Sequence, residues 1–310
     1  VGQVTTDILL SNNAKTKTNE YDGKILVEGF DAGKVFEVKQ LGTLDFYAIV
    51  KGKNFSLDKA NLTMKGEVTN LQYEENTIGL INIDGEFKKK KFTGGIFIND
   101  ELLGLDFAGS VDLSGNLPAF DFEADLANAN LEKLLHLTGD SVAFLSTSAE
   151  MKFEGNTLDN LIGNLHFRNT RFIKGDQSIT LDDLSVVTSS LGNGSKRMQL
   201  DSDFASAVFT GQYTFDDMAD YLTMVFTDFL PSLGGGEMLS ERINKGSFDY
   251  TIHLHHTDSL TQMFAPWIKI DKNTVISGAF DPKIGLVNVN GRSPLIQLSG
   301  FSFRDWSLKG

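Results

Sequence analysis

The chain has 310 residues and no cysteine, which excludes structural disulfides and thiol chemistry and is compatible with an oxidising compartment. A formal charge of −13 argues against nucleic acid and against an anionic membrane surface as electrostatic partners. At 41% apolar the chain can bury a substantial core, as one all-β unit or two domains; its unusual feature is 24 Phe against 6 Tyr and 2 Trp, because Phe brings apolar area without a polar handle.

Residues 1 to 23 are polar and weakly patterned after Val4 to Leu10, with an Asn/Lys/Thr run that reads as loop. From Lys24 the apolar residues recur with a period of two, the signature of strands with one wet face: Ile25 and Val27, Phe36 and Val38, then Leu44, Phe46, Ala48 and Val50 opposed to Asp45, Tyr47, Ile49 and Lys51. Leu62 to Val68 and Ile81 to Phe87 continue the pattern, and the basic run Lys88 to Lys91 between strands reads as a solvated hairpin turn.

The alternation is clearest from Leu102 to Leu113, where Leu103, Leu105, Phe107, Gly109 and Val111 share one face and Asp106, Ala108, Ser110 and Asp112 the other. After the turn signal Ser114 to Pro118 it returns as Phe120, Phe122, Ala124 and Leu126 against Asp121, Glu123 and Asp125, so the two strands pair with their apolar faces on one side. Leu131, Leu134 and Leu135 shift to helical spacing, closed by Gly139, and strands resume at Ala149. Ala207, Phe209, Gly211, Tyr213 and Phe215 make another clean strand.

The segment Asp216 to Leu230 is predicted as the one longer helix, with acidic residues in its first turn and Pro231 and Gly234 to Gly236 ending it. Its apolar stripe includes Met218, Tyr221, Leu222, Val225, Phe226 and Phe229, and it is expected to lie on the sheet or plug an opening. Phe248 to Leu254 is a further strand, Ser259 to Phe264 a helical turn, and Val275 to Leu308 three or four closing strands. A glycine followed by alternating apolar residues recurs at Gly109, Gly163, Gly211 and Gly246, and glycines inside strands point to a sheet that curls. No internal linker divides the chain, and the weak place to cut is Gly234 to Gly236.

Chemistry-bearing clusters are few. His253 and His255 share a polar strand face without a third ligand, which favours a wet surface over a metal site. The acid pairs Asp182 and Asp183, Asp201 and Asp203, and Asp216 and Asp217 fall at strand ends and helix starts, where acids cap and solvate. No phosphate loop, dinucleotide fingerprint or nucleophile elbow is present, so neither an enzyme nor a cofactor is expected. A piece of membrane barrel is disfavoured by the helix and by the shortage of Tyr and Trp for interfacial girdles.

Leu105 to Ser114 followed by Pro118 to Leu131 resembles the TamB and AsmA-like proteins of Gram-negative bacteria, particularly the Bacteroidota forms. Leu200 to Tyr213 leading to Phe229-Leu-Pro231, then Ile276 to Phe280 and Pro294 to Leu298, are similar to the same family. The resemblance runs from about Leu44 onward. It implies a long curled antiparallel sheet, taco-like in section, in a periplasmic protein held at the inner membrane by a segment outside this sequence. It also implies a greasy groove for phospholipid passage between membranes. An assembly module that recruits an outer-membrane barrel of the TamA/BamA type, without carrying lipid, is the alternative. On this reading one continuous β-groove spans residues 1 to 310, lined by Leu103, Leu105, Phe107, Val111, Phe120, Phe122, Phe209, Tyr213 and Phe248 and plugged by Met218, Leu222, Val225, Phe226 and Phe229. Val1 is not a start residue and Phe301 to Gly310 still read as strand, so the sequence is expected to be part of a longer protein.

Overall fold

The computed structural model describes residues 2–13, 18–36, 38–54, 56, 58–135, 142–216, 218, 221, 246–281, 283–284 and 286–310. Strands account for 72% of the described residues and helices for 8%, and the pairings are antiparallel, so the fold is all-β with a few short helices. The chain gathers into two compact units, Val1–Lys152 with Asn169–Asp176, and Phe153–Arg168 with Gln177–Gly310. The triglycine Gly234 to Gly236 lies outside the described residues.

The first unit is a succession of neighbouring strands. They are β1 (Gln3–Asn13), β2 (Thr18–Asp31), β3 (Leu41–Lys53), β4 (Asn61–Tyr73), β5 (Asn76–Ile78), β6 (Ile81–Lys88), β7 (Lys91–Asn99), β8 (Gly104–Asp112) and β9 (Ala119–Asn130). Each pairs with the next, except that β5 and β6 both pair with β4, as one strand interrupted where Leu80 takes a φ of 53°. β10 (Ala143–Glu154) pairs with β9 and falls almost wholly in this unit; β11 (Ile162–Lys174) is divided between the two.

Two sequence expectations are corrected at the start of the chain. Strand does not begin at Lys24: residues 3 to 13 and 18 to 23 are already strand, pairing from Gln3 with Glu28 to Asn13 with Thr18. β1 is exposed along nearly its whole length, so no burial imposes an alternating pattern on its residues. The segment around Phe36 is a helix, α1 (Ala32–Phe36), because the Asp31 carboxylate accepts the Lys34 amide at 3.0 Å and starts a helical turn. The basic run does form a tight hairpin: Lys88 pairs with Lys91, and Lys89 and Lys90 take φ of 49° and 67°, the pair of positive angles that a type I′ turn demands. An ion pair from Lys90 to Asp58 at 2.7 Å helps hold that turn.

One end of this unit is closed by packing. Asn130 begins α2 (Leu131–Leu135) by accepting the Lys133 amide at 3.1 Å, and Asn76 of β5 donates to the Lys133 carbonyl at 3.1 Å. Leu134 thereby reaches a cluster of buried Val68, Ile78, Ile81 and Leu102. β5 lies three strand positions from β9, roughly 14 Å along a flat sheet, so α2 folds across the strand ends to meet it.

In the second unit the strands are β12 (Gln177–Gly192), β13 (Ser195–Ser202), β14 (Ala205–Gln212), β15 (Ser247–Leu254), β16 (Ile268–Ile270), β17 (Thr274–Asp281), β18 (Leu286–Leu298) and β19 (Phe301–Lys309). Pairing runs β12 to β15 in order, then to β17, β18 and β19, with β16 beside the far end of β18. Helix α3 (Asp258–Phe264) packs against β12 and β16.

The strand glycines have a local cause. In register, Gly52 opposes Tyr21, Gly109 opposes Phe122, Gly211 opposes Phe248 and Gly278 opposes Tyr250. A Cβ on Gly109 would stand 2.5 Å from the Cα of Phe122, so the neighbouring aromatic occupies the space a side chain would need. Gly109→Leu is therefore expected to destabilise the first unit by about 1–3 kcal/mol in urea unfolding, as overpacking does. Ala108→Leu, on the exposed face next to it, should change stability by about 0.5 kcal/mol or less.

Candidate functional site: an apolar sheet face

Strand register assembles the apolar parity of the first unit into continuous rows. Leu62 faces Phe87, Phe87 faces Phe92, Phe92 faces Val111 and Val111 faces Phe120, one apolar side chain from each of five strands. The next row is Met64, Gly85, Gly94, Gly109 and Phe122, and the one after it Gly66, Ile83, Ile96, Phe107 and Ala124. The middle row sets three glycines side by side, with the Phe122 side chain against Gly109. The Phe92 ring lies over Gly85, and Phe107 and Phe122 pack with ring centroids 5.0 Å apart.

These side chains are half-buried: Phe87, Phe92, Leu105, Phe107, Val111, Phe120 and Phe122 all keep part of their surface in solvent. Two buried clusters of this unit are Val68, Ile78, Ile81 and Leu102, and Tyr21, Ala48 and Val50. The opposite face of the same strands carries Asp84, Glu86, Asp106, Asp121, Glu123 and Asp125, all exposed. Of the expected lining residues, Leu105, Phe107, Val111, Phe120 and Phe122 stand together on one face. Leu103 precedes β8 and packs at the Leu102 cluster.

Phe209, Tyr213 and Phe248 lie in the second unit, where their surroundings differ. They are 7%, 7% and 4% exposed and form one core with Met198, Met218, Tyr221, Tyr250, Phe280 and Val289. Helical backbone begins at Phe215 and brings Met218 and Tyr221 onto this face, and Tyr221 has no exposed surface. Its ring lies 5.4 Å from Phe248, 5.8 Å from Tyr250 and 5.0 Å from Phe280, and its hydroxyl reaches the Asn288 carbonyl at 3.4 Å. Burial raises the pKa of the Tyr221 and Tyr250 phenols and pushes Tyr213 up to about 12, partly offset there by the Met198 backbone. The expected plug residues Leu222, Val225, Phe226 and Phe229 lie outside the described residues.

Lys196 closes one side of that core and was not singled out by its sequence context. Its ammonium donates to the Asp159 carbonyl at 2.7 Å and sits 4.5 Å and 5.4 Å from the ring centroids of Tyr213 and Phe215. Burial lowers its pKa, and the Asp159 charge works in the opposite direction. The Asp159 carboxylate also accepts the Phe215 amide at 2.8 Å, where an anion complements the start of a helix.

Polar clusters elsewhere belong to the surface. Asp182, Asp183, Asp201, Asp203 and Asp216 are exposed, and Asp183 pairs with His166 at 2.5 Å. His253 is exposed and His255 half-buried. Among the described residues no group of three or more His, Cys, Asp or Glu is placed to hold a metal ion, and no helix is long and apolar enough to cross a membrane. Compared with family models, curated proteins and solved structures, the chain finds no match in any of the three.

Proposed function

We propose that this chain handles lipid, with the half-covered apolar face of β4 to β9 as the surface on which acyl chains rest. The observation that carries the reading is the row Leu62, Phe87, Phe92, Val111 and Phe120: an apolar surface five strands wide whose members are half-buried and all keep surface in solvent. Contiguous apolar area of this kind on a folded protein marks a ligand or partner surface. Acyl chains suit it because each buried methylene gains about 0.8 kcal/mol without needing a polar partner. The resemblance to TamB and AsmA-like proteins supports the same reading and extends it to phospholipid movement between inner and outer membranes in the periplasm.

The test is capture. With a photo-crosslinking residue at Phe107 or Phe120, cells should yield a phospholipid adduct, whereas the same residue at Asp106 or Glu123 on the opposite face should not. Equal capture from both faces, or none from Phe107 and Phe120, overturns the proposal.

The second reading, an assembly module for a TamA/BamA-type barrel with no lipid cargo, is favoured by the second unit, where Phe209, Tyr213 and Phe248 serve as core. Barrel-protein adducts from Phe107 in place of lipid would select it.

A further inference from the structure

The apolar face of the second unit is filled at its centre by Tyr221, but beyond Ile276 it opens into a cavity of about 150 Å³. Its walls are Ile268 and Ile270 of β16, Ile276 of β17, Ile296 and Leu298 of β18, and Phe303 and Trp306 of β19. A break in the sheet builds it. Pro294, which has no N–H to give, stands opposite Asp305, whose φ is 49°; pairing is interrupted there, and Phe303 and Trp306, of opposite parity, both come to line the cavity. The Trp306 ring is seated over Gly291, where a Cβ would come within 2.7 Å of it.

The one polar lining group is already satisfied. Thr274 Oγ1 donates to the Asp271 carbonyl at 2.7 Å and meets Ser293 Oγ at 2.6 Å. A ligand that fits therefore offers hydrocarbon alone at this point. A space of this size holds a benzene-sized group, on the order of five or six carbons. Ile276 packs on the Tyr221 core, so the inner end is closed, while Phe303, 44% exposed, stands at the open side.

We propose that this cavity is a dead-end site for the terminal carbons of an aliphatic chain, holding an amphiphile by its tail with its polar head left in water. This deepens the lipid reading above, and rests on it only for the nature of the molecule that owns the chain. The site is separate from the first-unit face and its test reads a different residue.

Trp306 is one of two tryptophans, so Trp267→Phe leaves it as the sole indole reporter. Octanoate brominated at its terminal carbon should quench Trp306 saturably, because bromine quenches only near contact, and terminally brominated propionate should not. Unbrominated octanoate should restore the emission, and dioctanoylphosphatidylcholine below its micelle concentration should do so as well if a phospholipid supplies the chain; restoration by octanoate alone assigns the site to free fatty acids. Ile296→Phe, which fills the cavity, should weaken quenching at least tenfold. Should that variant fail to fold, the competition in the unfilled protein decides. Quenching that does not saturate, is not reversed by either competitor, or survives Ile296→Phe in a folded protein overturns the site. Lipid capture at Phe107 alongside such a failure overturns the cavity alone and leaves the first-unit reading standing.

Discussion

Tyr221→Ala is expected to cost the second unit on the order of 3–5 kcal/mol, the range for removing a large aromatic from a closed core. Tyr221 has no exposed surface and its ring contacts Phe248, Tyr250 and Phe280 from three different residues on two strands. Alanine would leave a cavity beneath the start of a helix, with the facing strands held apart by their own pairing and unable to collapse into it. Tyr221→Phe should cost about 1 kcal/mol or less, because the hydroxyl contacts to Tyr250 and Asn288 are both 3.4 Å long, at the weak limit for hydrogen bonds. Urea unfolding followed by tryptophan emission measures both. A loss below about 1 kcal/mol for the alanine variant would show that the helical segment rests on the face without belonging to its core.

Placing a carboxylate on each unit's apolar face should give opposite outcomes. Phe248→Asp puts a charge where the native side chain is 4% exposed, among Tyr213, Tyr221, Tyr250 and Phe280, and the cation of that core, Lys196, is already engaged by the Asp159 carbonyl. An unpaired buried charge costs several kcal/mol or more, enough to unfold a marginally stable unit. Phe107 is half-buried, so an aspartate there can turn to water and forfeits about 1–2 kcal/mol of contact with Phe122 and its neighbours. The expected result is loss of the second unit's protease resistance in Phe248→Asp. Phe107→Asp should instead stay folded with at least a tenfold fall in lipid capture at Phe120. If Phe107→Asp unfolds the first unit as completely, its apolar face is closed core and the surface assigned to acyl chains does not exist.

Much of this architecture is legible in the residues themselves. Alternation from Leu105 to Val111 and from Phe120 to Leu126 determines strands with one wet face, because successive side chains of a strand point to opposite sides. The type I′ turn at Lys89 and Lys90 is placed correctly by its flanking strands even though neither residue is a glycine. The helical spacing of Met218 and Tyr221 marks them as facing one way. β1 was illegible, since a strand exposed on both faces carries no pattern. α1 was hidden behind Phe36 and Val38, whose spacing of two also fits a strand, while the Asp31 side chain that starts the helix is a local hydrogen-bonding event.

Two matters were decided only by tertiary structure. The first is register. That Gly85, Gly94 and Gly109 fall in one row, and Leu62, Phe87, Phe92, Val111 and Phe120 in the next, depends on hairpin lengths and bulges, and a slip of one residue in any pair would scatter both rows. The second is coverage. Phe107 and Phe248 carry the same alternating signature, and their parity says only that each faces the apolar side. Whether that side is open or filled depends on what crosses it: Tyr221 arrives on Phe248 from a helix anchored by Asp159 and Lys196, residues far from it in the chain, whereas Phe107 keeps part of its surface in solvent and packs on its sheet neighbour Phe122. A period of two records the direction of a side chain, and burial is a property of the partner opposite it.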